Sequence, residues 1–121
     1  MTSLSGLLIR PAVSDADLAA WNRVRRVVLP NEPIGTIEQL RAYLSPDRLI
    51  VLAVTADGEV VGSGVADRSN LADGFVAPRV VPEHRRRGAG TDLLGHLLDH
   101  LVSRGFRSVA AHVDDDGSLA L

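Results

Sequence analysis

A run of three arginines followed by two glycines, from Arg85 to Gly90, has the residue types best suited to binding an anion. Arginine forms paired hydrogen bonds with phosphate oxygens, and Gly88 and Gly90 carry no Cβ to hold an anion away from the backbone. Alone, this spacing is more typical of a basic turn. Its position between the extended segment 80–82 and the start of a predicted helix favours a phosphate-binding loop, because the N–H groups at a helix start attract anions.

The elements that would hold this loop follow from hydrophobic patterning and turn signals. Strands are predicted at 7–10, 49–54, 59–66, 75–81 and 107–113, and helices from Ser14 to before Pro30, from Thr36 to Leu44 and from Thr91 to Gly105. The Asp57-Gly58 pair predicts a hairpin, and the glycines at 62 and 64 indicate a bulge or a close backbone approach.

The order β-α-α-β-β-β-α-β predicts one domain, residues 1–121, of the α+β class. We expect a mixed, mainly antiparallel sheet flanked by helices. The middle strands should be antiparallel, and the last strand–helix–strand unit should be parallel and right-handed. On the last helix, leucines and Val102 are predicted to form one apolar stripe.

Composition narrows the classes of function. The 121 residues carry a net charge of −2, which argues against a nucleic-acid surface, and they include no cysteine. All 13 basic residues are arginine, so lysine chemistry is excluded. His96 and His100 are four residues apart, so both should lie on the same face of the last helix. We expect this face to be exposed to solvent and not to bind a metal ion. No membrane span or signal peptide is recognisable, so a cytoplasmic protein is expected.

The stretch from Val80 to Leu94 resembles the acetyl-coenzyme A motif of the GNAT superfamily of N-acetyltransferases, (Q/R)xxGx(G/A) after a valine-rich strand and a proline. The order of elements from residue 7 onward is also similar to that family. The resemblance implies transfer of an acetyl group from acetyl-CoA to an amine of a small molecule or peptide. The alternative is a GNAT-like module that binds acetyl-CoA without turnover and has a regulatory or interaction role.

The resemblance also implies site residues. Val80 and Val81 offer backbone groups to the acetyl carbonyl and the pantetheine arm. Residues 85–90 supply N–H groups to the pyrophosphate, with Thr91 just inside the helix, and the acetyl-CoA lies in the gap beside the strand 107–113. The implied cofactor-binding set is Val80, Val81, Arg85, Arg86, Arg87, Gly88, Ala89, Gly90 and Thr91. Acetyl-CoA is the co-substrate, and no metal is expected.

The sequence departs from the family pattern at its end. GNAT domains usually continue through a helix carrying a tyrosine that protonates the thiolate, and then two more strands, whereas here the only tyrosine is Tyr43. We expect an incomplete domain whose last strand is covered by a second copy, as in a homodimer, or by a missing segment. No catalytic residue is assigned. The candidate bases, none favoured, are Glu32, Asp67, Asp73, Glu83 and His112.

Overall fold

Five strands form one sheet whose spatial order is the same as their order along the chain. The computed structural model describes residues 6–32, 35–42, 47–69, 73–85 and 87–111. The elements are β1 (Leu8–Pro11), α1 (Asp15–Val28), α2 (Ile37–Ala42), β2 (Leu49–Val54), β3 (Val60–Arg68), β4 (Asp73–Val80), α3 (Ala89–Ser103) and β5 (Ser108–Ala111). Neighbouring strands are antiparallel except β4 and β5, which are parallel. The α+β class and the element order are confirmed.

Helix α1 begins where the sequence predicts a cap. The Ser14 hydroxyl accepts a hydrogen bond from the Asp17 N–H, and the Asp17 carboxylate accepts one from the Ser14 N–H, which completes a capping box. Leu18, Trp21 and Val24 then face the sheet and are buried. The Trp21 indole N–H donates to the Gly64 carbonyl oxygen at 3.1 Å, so α1 is fixed across β3.

Helix α3 packs on the opposite face of the sheet, against three glycines. A Cβ added at any of them would come within 2.8 to 3.1 Å of a leucine Cδ1 atom of α3. The pairs are Gly62 with Leu93, Gly64 with Leu97 and Gly74 with Leu101. These three leucines are fully buried. The predicted close approach at positions 62 and 64 is therefore confirmed, and it holds α3 tightly against β3 and β4.

Two details of α3 differ from the sequence prediction. The helix begins at Ala89 and not at Thr91, because Gly88 supplies the turn into it. Val102 is 67% exposed, although the sequence predicted it on the apolar stripe. The spacing of the buried leucines explains this difference, since residues four apart make a narrower stripe that leaves Val102 at its margin.

The two edges of the sheet are β1 and β5. Among the described residues, β5 pairs only with β4, and the covering of its other edge stays a prediction. Tyr43 and His112 lie outside the described residues. Within the described part of the chain, no helix is long and apolar enough to cross a membrane.

Candidate functional site

The start of α3 has the backbone conformation of an anion-binding loop. Gly88 is the N-cap, with φ +86° and ψ 0°, a left-handed conformation that side chains disfavour. The first helical hydrogen bond runs from the Asp92 N–H to the Gly88 carbonyl oxygen at 3.0 Å. The N–H groups of Ala89 and Gly90 therefore precede the helical ladder and have no acceptor within the helix. No side chain caps this end.

A single 3₁₀ turn, Pro82–His84, joins β4 to this loop. The next residue, Arg85, is half-buried, and its Nε donates to the Val80 carbonyl oxygen at 3.0 Å. Arg87 is exposed, and Arg86 lies outside the described residues. Two of the arginines predicted to bind phosphate therefore have different surroundings. The guanidinium of Arg85 links the loop to the end of β4, whereas Arg87 is exposed.

The hydrogen-bond pattern of β4 separates Val80 from Val81. The Val81 N–H donates to the Val61 carbonyl oxygen at 2.9 Å, and the Val81 carbonyl oxygen accepts from the His84 N–H at 3.0 Å. Because backbone groups alternate between the two sides of a strand, the N–H of Val80 points away from β3, toward the β5 side. The family resemblance implied the same role for both valines, and this geometry favours only the N–H of Val80 as a donor to an acyl oxygen.

The end of β4 also extends past its described contact with β5. The pairing of these strands runs from Asp73 with Ser108 to Val76 with Ala111. Among the described residues, Ala77–Val80 therefore pairs on one side only. Pro78 lies at an outward-facing position of this stretch, where a missing N–H breaks no bond to β3. An extended ligand can add to such a strand edge through backbone hydrogen bonds.

The loop and the strand end are held together by the core on the α3 side. The side chains of Val80, Ala89 and Leu93 belong to one buried cluster, with exposures of 7%, 2% and 0%. The N–H of Val80 and the start of α3 are therefore fixed relative to each other by packing, as a binding site requires.

On the α1 side, the same strand end carries polar side chains that the sequence did not single out. Ser63 and Arg79 lie directly opposite each other on β3 and β4. Ser63 is fully buried, and its hydroxyl has no hydrogen-bond partner among the described residues. The buried Nε of Arg25, on α1, also has no partner there. The signal was present in the sequence, since Arg25 falls on the same helical stripe as Leu18 and Trp21.

The arginines are distributed unequally between the two ends of the sheet. We define the paired end as the one where β3 ends and β4 begins, and the open end as the one where β4 ends and α3 begins. Five ion pairs between described residues have their carboxylates on the paired-end side, at the start of α1, before β2 or at the end of β3: Arg10–Asp17, Arg41–Asp15, Arg48–Asp67, Arg68–Asp47 and Arg104–Asp47. At the open end, Arg25, Arg85 and Arg87 form no ion pair with a described residue.

The candidate bases do not converge on the open end. Asp67 and Asp73 lie at the paired end, and the seven steps from Asp73 to Val80 span about 23 Å of strand. Glu83 and Glu32 are at the open end but exposed. The Nε2 of His100 donates to the Asp47 carbonyl oxygen, 2.9 Å away. No three histidine, aspartate or glutamate side chains gather into a possible metal site within the described ranges.

Comparison with known proteins decides the family. The model of the acetyltransferase (GNAT) family matches residues 14–121. The chain belongs to this family. Curated protein sequences gave no match.

Solved structures of the family share the fold. A 6'-N-acetyltransferase for aminoglycoside antibiotics from Acinetobacter baumannii is 22% identical, with a TM-score of 0.75, covering 95% of this chain and 84% of that one. A GCN5-related N-acetyltransferase from Kribbella flavida is 27% identical, with a TM-score of 0.68 and coverages of 86% and 70%. A phosphinothricin acetyltransferase from Sinorhizobium meliloti, in complex with acetyl-CoA, is 23% identical, with a TM-score of 0.71 and coverages of 87% and 65%.

Proposed function

We propose that this GNAT chain transfers an acetyl group from acetyl-CoA to a primary amine. The observation that carries the proposal is the orientation of the Val80 N–H toward the open edge of β4, beside the left-handed turn at Gly88. The Val80 N–H suits the acyl end of acetyl-CoA, and the turn at Gly88 suits its phosphates. Both lie at the open end, where Arg25, Arg85 and Arg87 form no ion pair with a described residue.

The N–H groups of Ala89 and Gly90 are proposed to bind the pyrophosphate, together with the cationic side chains of Arg85, Arg86 and Arg87. Thr91 belongs to the same first turn of α3. Partial positive charge at the helix start adds to that of the guanidinium groups. The pantetheine arm then follows the edge of β4, as an added strand does.

Acetyl-CoA supplies an activated acyl group in its thioester. We assign the Val80 N–H to the carbonyl oxygen, where negative charge develops as the amine attacks. The amine nitrogen forms a bond to the acyl carbon, the carbon–sulfur bond breaks, and its electron pair leaves with sulfur. The proton lost by the amine balances the departing thiolate. No side chain is assigned to carry that proton.

Two calorimetric titrations test the binding half of this proposal. The full chain is titrated with acetyl-CoA and, separately, with S-acetylpantetheine, which has the thioester but lacks the pyrophosphate. We expect acetyl-CoA to bind at least about 100-fold more tightly, because charge-assisted hydrogen bonds to phosphate are lost in the shorter ligand. Equal affinities would show that the loop does not bind the pyrophosphate.

A thiol-release assay with a panel of primary amines tests the transfer half. Amine-dependent release of coenzyme A, with the acetylated amine identified by mass spectrometry, is the expected result. Tight binding of acetyl-CoA without release for any amine would instead favour the alternative role as a binding module.

A further inference from the structure

Three polar residues lie on the α1 side of the open end: Ser63 and Arg79, which are opposite each other on β3 and β4, and Arg25 on α1. We call this group the Arg25 cluster. Burying a hydroxyl or a guanidinium nitrogen without a partner costs free energy, so folded proteins rarely leave such groups unsatisfied. Ser63 is 0% exposed, and neither its hydroxyl nor the Nε of Arg25 has a partner among the described residues. A bound ligand would explain both groups at once.

Two hydrogen bonds from α1 to β3 show how the helix runs relative to the sheet. The indole of Trp21 contacts Gly64 on β3, and Arg23 donates to the Val60 carbonyl oxygen at 3.4 Å. The C-terminal half of α1 therefore runs along β3 toward the open end. Arg25 lies one turn beyond Trp21 on the same side of α1, which directs it toward the stretch of β3 between Gly64 and Val60, where Ser63 lies. Arg79 precedes Val80, so the cluster adjoins the proposed acyl position.

The positive charge of the Arg25 cluster favours an anionic ligand. The last turns of α1 carry three arginines, at positions 23, 25 and 26, and no acidic residue. Arg25 has no ion pair with a described carboxylate. Glu32, Glu59 and Glu83, which lie toward the open end, are all exposed. A guanidinium beside a hydroxyl offers a few convergent donors, which match the two oxygens of a carboxylate.

From this arrangement the structure assigns the Arg25 cluster as the acceptor subsite for a carboxylate, so that the substrate is an amine that also carries a carboxylate, such as an amino acid. This inference rests on the proposed acetyl transfer. The carboxylate accepts hydrogen bonds from Arg25 and Ser63, and Arg79 adds positive charge. The amine of the same molecule then reaches the acyl carbon beside Val80. Polycationic amines are repelled by the same arginines.

The test compares matched substrates in the full chain. Each α-amino acid of a panel is assayed beside its carboxamide by thiol release, at saturating acetyl-CoA, with ethanolamine, O-phosphoethanolamine and the polycation kanamycin as further amines. We expect kcat/KM for the best amino acid to exceed that for its amide by roughly 10- to 100-fold. No preference for the acid, or a preference for the phosphorylated amine or kanamycin, would overturn the assignment.

Two variants and one control locate the effect. Arg25→Gln should remove the preference for the acid mainly through KM, whereas Arg26→Gln, the same change at an exposed neighbour, should keep it. Ser63→Ala should also weaken the preference but leave the thermal midpoint equal to or above that of the wild type, since the hydroxyl has no partner among the described residues. A preference unchanged in Arg25→Gln would refute the subsite even if transfer itself occurs.

Binding of the amino acid can be measured without turnover, by tryptophan fluorescence. Trp21 is the only tryptophan, and it lies one turn from Arg25. In the presence of coenzyme A, titration with the preferred amino acid, or with L-leucine if no amine is turned over, should change its fluorescence in the wild type and in Arg26→Gln but not in Arg25→Gln. If acetyl-CoA binds and no such difference between the variants appears, the subsite is wrong while the cofactor site stands.

Discussion

The two ends of the sheet use arginine in opposite ways. At the paired end, Arg68 and Arg104 both donate to the carboxylate of Asp47, at 3.1 and 3.3 Å. The hydrogen bond from Arg68, followed by that from Arg104, holds the pKa of Asp47 below its ordinary value. At the open end, Arg85 donates to a backbone carbonyl, and Arg25 leaves its Nε without a partner among the described residues.

This difference teaches that similar residues can serve the fold at one place and a ligand at another. Exposed ion pairs add little to stability, but they neutralise charge and keep side chains from competing for anions. Arginines without carboxylate partners keep their donors for a ligand. The charge of the open end is therefore a local property, which the net charge of −2 conceals.

The largest effect is expected from removing an arginine at each end. Arg85→Ala should weaken acetyl-CoA binding by roughly 30-fold, because a charged donor to phosphate and the contact to the Val80 carbonyl are lost together. Arg104→Ala removes the same charge at the paired end and should change the affinity by less than about twofold. Calorimetric titration of both variants measures the contrast, and equal losses would mean that net charge alone attracts the ligand.

A pair of glycines gives a second, smaller contrast. Gly88 begins α3, and Gly105 follows its end, with φ values of +86° and +90°. Alanine at either position should lower stability by about 1–2 kcal/mol, because side chains disfavour the left-handed region. Only Gly88→Ala should also weaken acetyl-CoA binding, by roughly 10-fold. If Gly105→Ala weakens binding as much, the loss reflects general destabilisation and not the geometry of the loop.

The sequence predicted the fold well because its signals were local or periodic. The cap at Ser14, the hairpin at Asp57-Gly58 and the leucine spacing of α3 each depend on neighbouring residues, and each is found in the structure. The glycine loop was equally visible, since the residues from Arg85 to Gly90 are contiguous.

What the sequence missed depends on register and on contacts between distant segments. Val80 and Val81 are alike as residues, and only the pairing of Gly62 with Val80 shows which N–H points outward. Ser63 and Arg25 are 38 positions apart, and each alone is an ordinary serine or arginine. The helical stripe of α1 marks Arg25 as facing the sheet, but the lack of partners that Arg25 Nε and the Ser63 hydroxyl share among the described residues is a property of the packed fold.

Acidification probes the paired end through Asp17. Hydrogen bonds from Arg10, and then from the Val13 and Ser14 N–H groups, hold the pKa of Asp17 well below its ordinary value. A carboxyl with a lowered pKa stabilises the fold above its unfolded pKa, and this contribution is lost as pH falls from about 4 toward the folded pKa. Thermal denaturation of Asp17→Asn should therefore give a lower midpoint than the wild type at pH 7, with the gap narrowing below about pH 4. A gap independent of pH would mean that the loss comes from cap geometry and not from charge.

The smallest effect is expected at the centre of the paired end. Asp47→Asn removes the charge that Arg68 and Arg104 share but keeps the backbone carbonyl that contacts His100 at 2.9 Å. Because both arginines are more than 40% exposed, water replaces the lost partner, and the thermal midpoint should fall only slightly, with the difference vanishing in high salt. The affinity for acetyl-CoA should stay the same at physiological ionic strength. Arg68 and Arg104 lie at the opposite end of the sheet from the proposed acetyl-CoA site, and the distance exceeds the Debye length of about 8 Å. A clear gain in affinity for acetyl-CoA in Asp47→Asn would show that the carboxylates of the paired end weaken anion binding across the whole molecule. The two ends would then differ only in how strongly their arginines attract anions.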